Sequence, residues 1–411
     1  MRKFIDQSLL VLASVFVPLL FLAYRYLVSL LVALLGVAIV YSLIWWLCPA
    51  GFTHTPEALR YWRWVVYGLA VLILLPSLAL AKRDNPYRKY VGLGGFFNKV
   101  IDSFIAWIGT IKYFTQPLSL IQDPGSYKIS GKEARELIDH VLQPGDILLR
   151  GYKGYLDGIM IGLTGGGDSV SKHFSHAAFY VGDLDDARDK AIVARRLQVV
   201  DDAGHWVDAD DSQKDKVRND TAYYEQGPQR VIHAMTKGVF TEDILTFLRC
   251  DYLAVLRLPT QMTLTAEEQR SFSQNLETLD KQDAEHKKPV GAVMIDALAP
   301  DALSVQQQLL AGQTVTREQV LDCVHRSALG KIGSCYDFQF TDGKTHNRFS
   351  CSEFVYYCFK SVHSYIGLRL IKHGFLGMLF VRESITPGDI FDAAMKHKKL
   401  QVVWTSKSLQ A

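Results

Sequence analysis

Arg348-Phe349-Ser350-Cys351-Ser352-Glu353-Phe354-Val355-Tyr356-Tyr357-Cys358-Phe359 has the form of a helix start. Ser350 is a good N-cap, and Glu353, three residues on, can return a hydrogen bond to the cap N–H. That capping box predicts Cys351 at the first helical position, where unpaired N–H groups and the positive end of the helix dipole favour an anion. A thiol so placed is expected to have a lowered pKa and to be partly thiolate near neutrality, the form that attacks carbonyls. The same N–H groups would hold the oxyanion that attack creates. Taken alone, the stretch fits a buried cysteine opening a core helix better than it fits chemistry. The rest of the chain decides.

The chain of 411 residues has room for a membrane region and one or two further domains. A formal net charge of +3, with no run of Lys/Arg interleaved with aromatics, gives no reason to expect a nucleic-acid partner. The six cysteines (Cys48, Cys250, Cys323, Cys335, Cys351 and Cys358) show neither CxxC pairs nor histidine spacing suited to zinc. No metal, cofactor or disulfide framework is expected.

Residues 8–48 are almost wholly apolar, broken by Tyr24-Arg25-Tyr26. Leu27–Leu47 is long enough to span a bilayer, with Trp45 and Trp46 suited to its interface, and 64–81 is a second span. Ser8–Ala23, which contains Pro18, is a further span or the end of a long tilted helix. Residues 1–90 are therefore predicted to be an uncleaved transmembrane anchor of two or three helices, with the lipid bilayer as partner. Lys82, Arg83, Arg88 and Lys89 follow the last span and predict a cytoplasmic domain on a bacterial inner membrane. Arg60 and Arg63 pull the other way. In 91–125, Phe96, Phe97, Val100, Ile101, Phe104, Ile105 and Ile108 are spaced as one face of an amphipathic helix through Phe114. It either lies in the membrane surface or packs on the domain.

Residues 126–411 form the remaining domain. Ser130–Leu142 is a short helix, and the turn Pro144-Gly145-Asp146 feeds the buried strand Ile147–Arg150. Gly165-Gly166-Gly167 lacks the ending of a phosphate loop and is a connector. Phe174–Asp183 is a strand on which His176, Ala178 and Tyr180 share a face. Residues 184–229 are polar and charged, as in a solvated insertion. Strands resume at Arg230–Met235 and Tyr252–Leu258, and helices are capped at Thr265…Glu268 and Thr316…Gln319.

Cysteine catalysis needs a base for the thiol and a third group to hold that base. His176 is the best candidate partner, beside the small residues Ser175, Ala177 and Ala178. His233 and Asp337 are alternatives for the third group. Each of these histidines, met singly, is more simply a structural residue.

Four motifs then fall in order: Pro144-Gly145-Asp146-Ile147-Leu148-Leu149; Ser175-His176-Ala177-Ala178-Phe179-Tyr180-Val181-Gly182; Tyr336-Asp337-Phe338; and Phe349-Ser350-Cys351-Ser352-Glu353-Phe354-Val355. This succession resembles the permuted papain-like cysteine hydrolases of the YiiX/YaeF type, relatives of the NlpC-type cell-wall peptidases and of the lecithin:retinol acyltransferase group. The resemblance covers roughly 140–260 and 325–395. It implies an α+β fold: a permuted papain-like, NlpC-type domain with an antiparallel sheet and a nucleophile helix, here preceded by N-terminal transmembrane helices. It further implies Cys351 as nucleophile, His176 as general base and Tyr336 as an aid to the oxyanion site. The third catalytic position falls on His233, where YiiX-type members usually carry glutamate.

The expected function is that of a membrane-anchored cysteine hydrolase, amidase- or peptidase-like, that cleaves an amide or ester through an acyl-thioester. A lipid or lipidated substrate is favoured by the anchor. A lipid-directed acyltransferase or thioesterase with the same site is one alternative. A non-catalytic membrane-tethered binding module on a degenerate hydrolase fold is the other.

Overall fold

The computed structural model describes residues 111–115, 118–122, 127–155, 170–201, 206–273, 300–337, 347–375 and 380–410, all within one compact unit of the chain. The hairpin of β1 (Ile111–Thr115) and β2 (Leu118–Gln122) comes first. Helix α1 (Gly131–His140), capped by Ser130 with Glu133, precedes the buried strands β3 (Ile147–Gly151) and β4 (His176–Gly182). Next come α2 (Ala187–Ile192), β5 (Gln198–Val200), β6 (Trp206–Asp208) and α3 (Asp211–Asn219). The hairpin of β7 (Arg230–Met235) and β8 (Gly238–Asp243) leads through α4 (Ile244–Phe247) to β9 (Tyr252–Arg257). Strands β10 (Gln261–Met262) and β11 (Val315–Thr316) pair across α5 (Pro300–Leu310). Helix α6 (Arg317–Gly330) and the short parallel pair β12 (Cys335–Tyr336) and β13 (Arg348–Phe349) then deliver the chain to α7 (Cys351–Cys358). The chain closes with β14 (Ile371–Phe375), β15 (Phe380–Ser384), α8 (Pro387–His397), β16 (Gln401–Thr405) and α9 (Lys407–Gln410).

Six strands form one sheet in the order β16-β9-β3-β4-β7-β8, with every neighbouring pair antiparallel. Its central strands are covered on both faces, which is why β3 and β4 are almost continuously apolar. Along β4 the side chains alternate: Ala177, Phe179 and Val181 enter one core, and Ala178 and Tyr180 the other. The larger core takes Val320 and Val324 of α6 and Phe354 and Val355 of α7, with Phe359 just beyond. The smaller takes Leu137 of α1 and Ile244 and Phe247 of α4.

The turn before β3 ties the sheet together. Gly145, at φ +99, donates its N–H to the Tyr180 carbonyl at 2.8 Å, and Tyr180 N–H returns to Asp146 O at 2.9 Å. The Asp146 carboxylate is 1% exposed and grips the Arg257 guanidinium of β9 at 2.7 and 2.8 Å.

The expected fold class is corrected in one respect. The structure does not show N-terminal transmembrane helices: among the described residues no helix is long and apolar enough to cross a membrane. The apolar runs that are described, Ile147–Leu149 and Ala177–Val181, are strands of a buried sheet. Helix α6, at 14 residues, falls short of the roughly 20 that a bilayer requires. The stretches 8–48 and 64–81, on which the anchor rested, lie outside the described residues, as do the flanking charges and Gly165-Gly166-Gly167.

Two further expectations change. The amphipathic helix predicted to reach Phe114 ends in strand instead, because Ile111–Thr115 pairs with Leu118–Gln122; residues 95–110 lie outside the described residues. The charged segment 184–229 holds two helices and a hairpin, and not only solvated chain. Leu184, Val193, Ala194, Leu197, Val217 and Tyr224 from it are buried in the larger core, so its charges form one face over an apolar underside.

Candidate active site

Helix α7 begins where its capping box places it. Ser350 N–H donates to Glu353 Oε2 at 2.9 Å, and Glu353 N–H donates back to Ser350 Oγ at 3.4 Å. Cys351 is the first helical residue, and every residue from Cys351 to Cys358 is buried. The β12–β13 pair fixes the approach, with Tyr336 opposite Phe349 and Asp337 N–H bonded to the Phe349 carbonyl at 3.0 Å. Replacing Ser350 with alanine is expected to destabilise the fold by about 1 kcal/mol. A urea titration of the Ser350→Ala protein measures this directly.

The thiol of Cys351 meets the backbone of β4 on both sides of His176. Its Sγ lies 4.0 Å from the Ser175 carbonyl oxygen and within hydrogen-bonding reach of the Ala177 and Ser352 N–H groups. Helix α7 packs on the Ala177/Phe179 side of the sheet, and the His176 ring is turned to His233 on the neighbouring strand. His176 Nε2 and His233 Nδ1 are 2.7 Å apart. Phe247 lies against both rings, at centroid distances of 5.9 and 5.6 Å, and Phe240 lies 4.4 Å from His233. No hydrogen bond joins Cys351 to either imidazole among the described residues.

Burial dominates the electrostatics. The Cys351 thiol is pushed up to about 11 by desolvation, which outweighs the N–H groups aimed at its sulfur. The lowered thiol pKa expected from the helix terminus is therefore not found: the helix supplies the donors, but loss of water acts more strongly on the charged form. Burial also drives both imidazoles well below the ordinary histidine range; the Arg150 guanidinium adds to this at His176, and His176, Arg150 and Lys237 add to it at His233. At rest the thiol and both imidazoles are neutral.

Of the site residues expected from sequence, His176 and His233 pair through their rings, and the Cys351 thiol lies against the backbone of the residues that flank His176. Asp337 does not join them. It is buried 3.7 Å from Arg348, and among the described residues no hydrogen bond or ion pair joins it to His176. Tyr336 is half-buried in β12, two positions in register from the nucleophile helix.

Two residues of the cluster were not anticipated. Arg150 on β3 and Glu242 on β8 both face the imidazoles: Glu242 Oε2 is 3.6 Å from His233 Nε2 and 3.6 Å from Arg150 Nη1. Arg150 Nη1 also donates to the Phe247 carbonyl at 3.0 Å, with its guanidinium carbon 4.2 Å from the centre of that ring. The signal was the tight β7–β8 hairpin, which sets His233 opposite Phe240 and Val231 opposite Glu242, on one face. Among the described residues no group of three or more His, Cys, Asp or Glu is placed to hold a metal ion.

Compared with family models, with curated proteins and with solved structures, the chain matches none of them.

Proposed function

We propose that this protein is a cysteine hydrolase that cleaves an amide or ester bond through an acyl-thioester on Cys351. The observation that carries the reading is the seating of the Cys351 thiol against the backbone on either side of His176, whose imidazole is bonded to His233. The resemblance to permuted papain-like hydrolases, which rests on the four ordered motifs, supports it.

The reaction follows from a neutral resting pair. The thiol attacks the carbonyl as His176 takes its proton, so no free thiolate accumulates. The oxyanion that forms would face the N–H groups at the start of α7, and the resemblance assigns Tyr336 to assist there. Its collapse breaks the carbonyl–heteroatom bond, and the proton on His176 leaves with the amine or alcohol. Water, deprotonated by His176, then releases the carboxylic acid and restores the thiol. An alcohol or amine in place of water makes the same site an acyltransferase.

The test is acylation of the full chain with an activated ester such as p-nitrophenyl acetate, followed by peptide mass analysis. An acyl adduct on Cys351, absent from Cys250, Cys323, Cys335 and Cys358, is expected. If Cys351 is not acylated above those four, the reading fails. One observation favours a second reading, a non-catalytic binding module: the thiol is held at about 11 with no imidazole bonded to it. That module predicts no turnover whatever the acyl group offered.

A further inference from the structure

We propose that Glu242 is a positioning residue that acts through His233 to keep Nδ1 of His176 unprotonated, and so able to accept a proton. This rests on the reading of His176 as the base. The 2.7 Å contact between His176 Nε2 and His233 Nδ1 joins two neutral rings, so one of those nitrogens carries the proton and the other accepts it. The choice fixes both rings. If His176 Nε2 holds the proton, its Nδ1 is a free lone pair and His233 must be protonated on Nε2. If His233 Nδ1 holds it, His176 is protonated on Nδ1 and cannot take a proton from a thiol.

Glu242 distinguishes the two states. Its Oε2 stands 3.6 Å from His233 Nε2, and neither atom has another hydrogen-bond partner although both are buried. A carboxylate facing an N–H is attractive, and a small side-chain shift makes it a charge-assisted bond. A carboxylate facing a ring lone pair is repulsive and leaves two buried polar atoms unpaired. Phe240 and Phe247 exclude water from the rings, which strengthens the preference.

The other charges around Glu242 fit this task. Burial raises its carboxyl above the ordinary range, while Arg150, Lys237 and Arg249 favour the ionised form and Asp243 opposes it. Arg150 alone would repel an imidazolium. With Glu242 between them at 3.6 Å, its charge is offset. A merely structural Glu242 would serve only as counter-ion to the buried Arg150, with no effect on the histidine tautomers.

The test uses full-length protein labelled with 15N-histidine, with His176 and His233 assigned by single substitution. At pH 7.5 the wild type is expected to carry its protons on Nε2 of both rings. Glu242→Met should shift the His176 tautomer ratio toward Nδ1–H by about tenfold or more. In a His233→Gln background, where the relay is cut, Glu242→Met should change nothing further at His176. A wild-type His176 protonated on Nδ1 overturns the proposal without recourse to any variant, as does a ratio unchanged in a folded Glu242→Met protein. The readout needs no turnover, so failure to acylate Cys351 leaves this result separately legible.

Discussion

Replacing His176 with alanine is expected to lower turnover of an activated ester at Cys351 by roughly 10²- to 10⁴-fold, the range for loss of a positioned general base. The size follows from the thiol. With a pKa of about 11, only on the order of 10⁻⁴ to 10⁻³ of Cys351 is thiolate at pH 7.5, so deprotonation has to accompany attack. On the proposed reading that task falls to His176, whose two chain neighbours supply the backbone groups against the sulfur. Two pH signatures accompany the loss. Without substrate, alkylation of wild-type Cys351 by iodoacetamide should climb about tenfold per pH unit from pH 7 to 10, with no plateau near neutrality. Turnover, which needs neutral His176, should stay flat through pH 6.5 and fall only at lower pH, because burial and Arg150 disfavour the protonated ring. His176→Ala leaves His233 Nδ1 without its partner, so His176→Gln serves as a second variant should the first fold poorly. Turnover within about threefold of wild type in either folded variant would remove His176 from the chemistry.

The parts legible in the sequence were local ones. Ser350 and Glu353 are three residues apart, so their reciprocal capping follows from helix geometry alone and correctly set Cys351 as the first helical residue. The apolar run around His176, closed by the Gly182-Asp183 turn, likewise marked a strand. What remained hidden was set by contacts distant in sequence. The resemblance put the third position on His233 with Asp337 as the alternative; the pairing of β4 with β7 then set His233 2.7 Å from His176, and the β12–β13 pair set Asp337 beside Arg348. Arg150 closes the strand expected over Ile147–Arg150, and nothing local to it marks it for the site. Only the sheet order brings it across β4 and β7 to Glu242. The thiol shows the limit most clearly. The helix terminus gave the sign of one contribution, while the opposing desolvation comes from the burial of Cys351, which only the folded chain sets. Charge in 184–229 misled for the same reason: a strongly charged face says nothing about the apolar underside it covers.

Pro144-Gly145-Asp146 belongs to the motif succession of the hydrolase reading, yet its task here is mechanical, and Arg257→Ala tests it. That substitution is expected to lower stability by about 3–5 kcal/mol, the range for leaving a buried charge without its partner. The Asp146 carboxylate is 1% exposed, holds Arg257 through both oxygens, and otherwise accepts only the Gln143 N–H at 2.8 Å. Arg257 also donates to the Val141 carbonyl, so its loss loosens the end of α1 as well. In Arg257→Ala/Asp146→Asn the unpaired charge is gone, and the double variant should be more stable than Arg257→Ala alone, a coupling that separates ion-pair loss from lost packing. A fall of less than about 1 kcal/mol for Arg257→Ala would instead class the pair with weak surface bridges. The pair is far from the thiol along the sheet, but not irrelevant to it. Asp146 and Gly145 clasp β4 at Tyr180, on the strand whose first residue is His176. Loosening that clasp releases the strand that presents the base, so the folded fraction of Arg257→Ala should retain nucleophile and base yet open more readily. Increased amide exchange along β4, with Cys351 still acylated, is the expected combination.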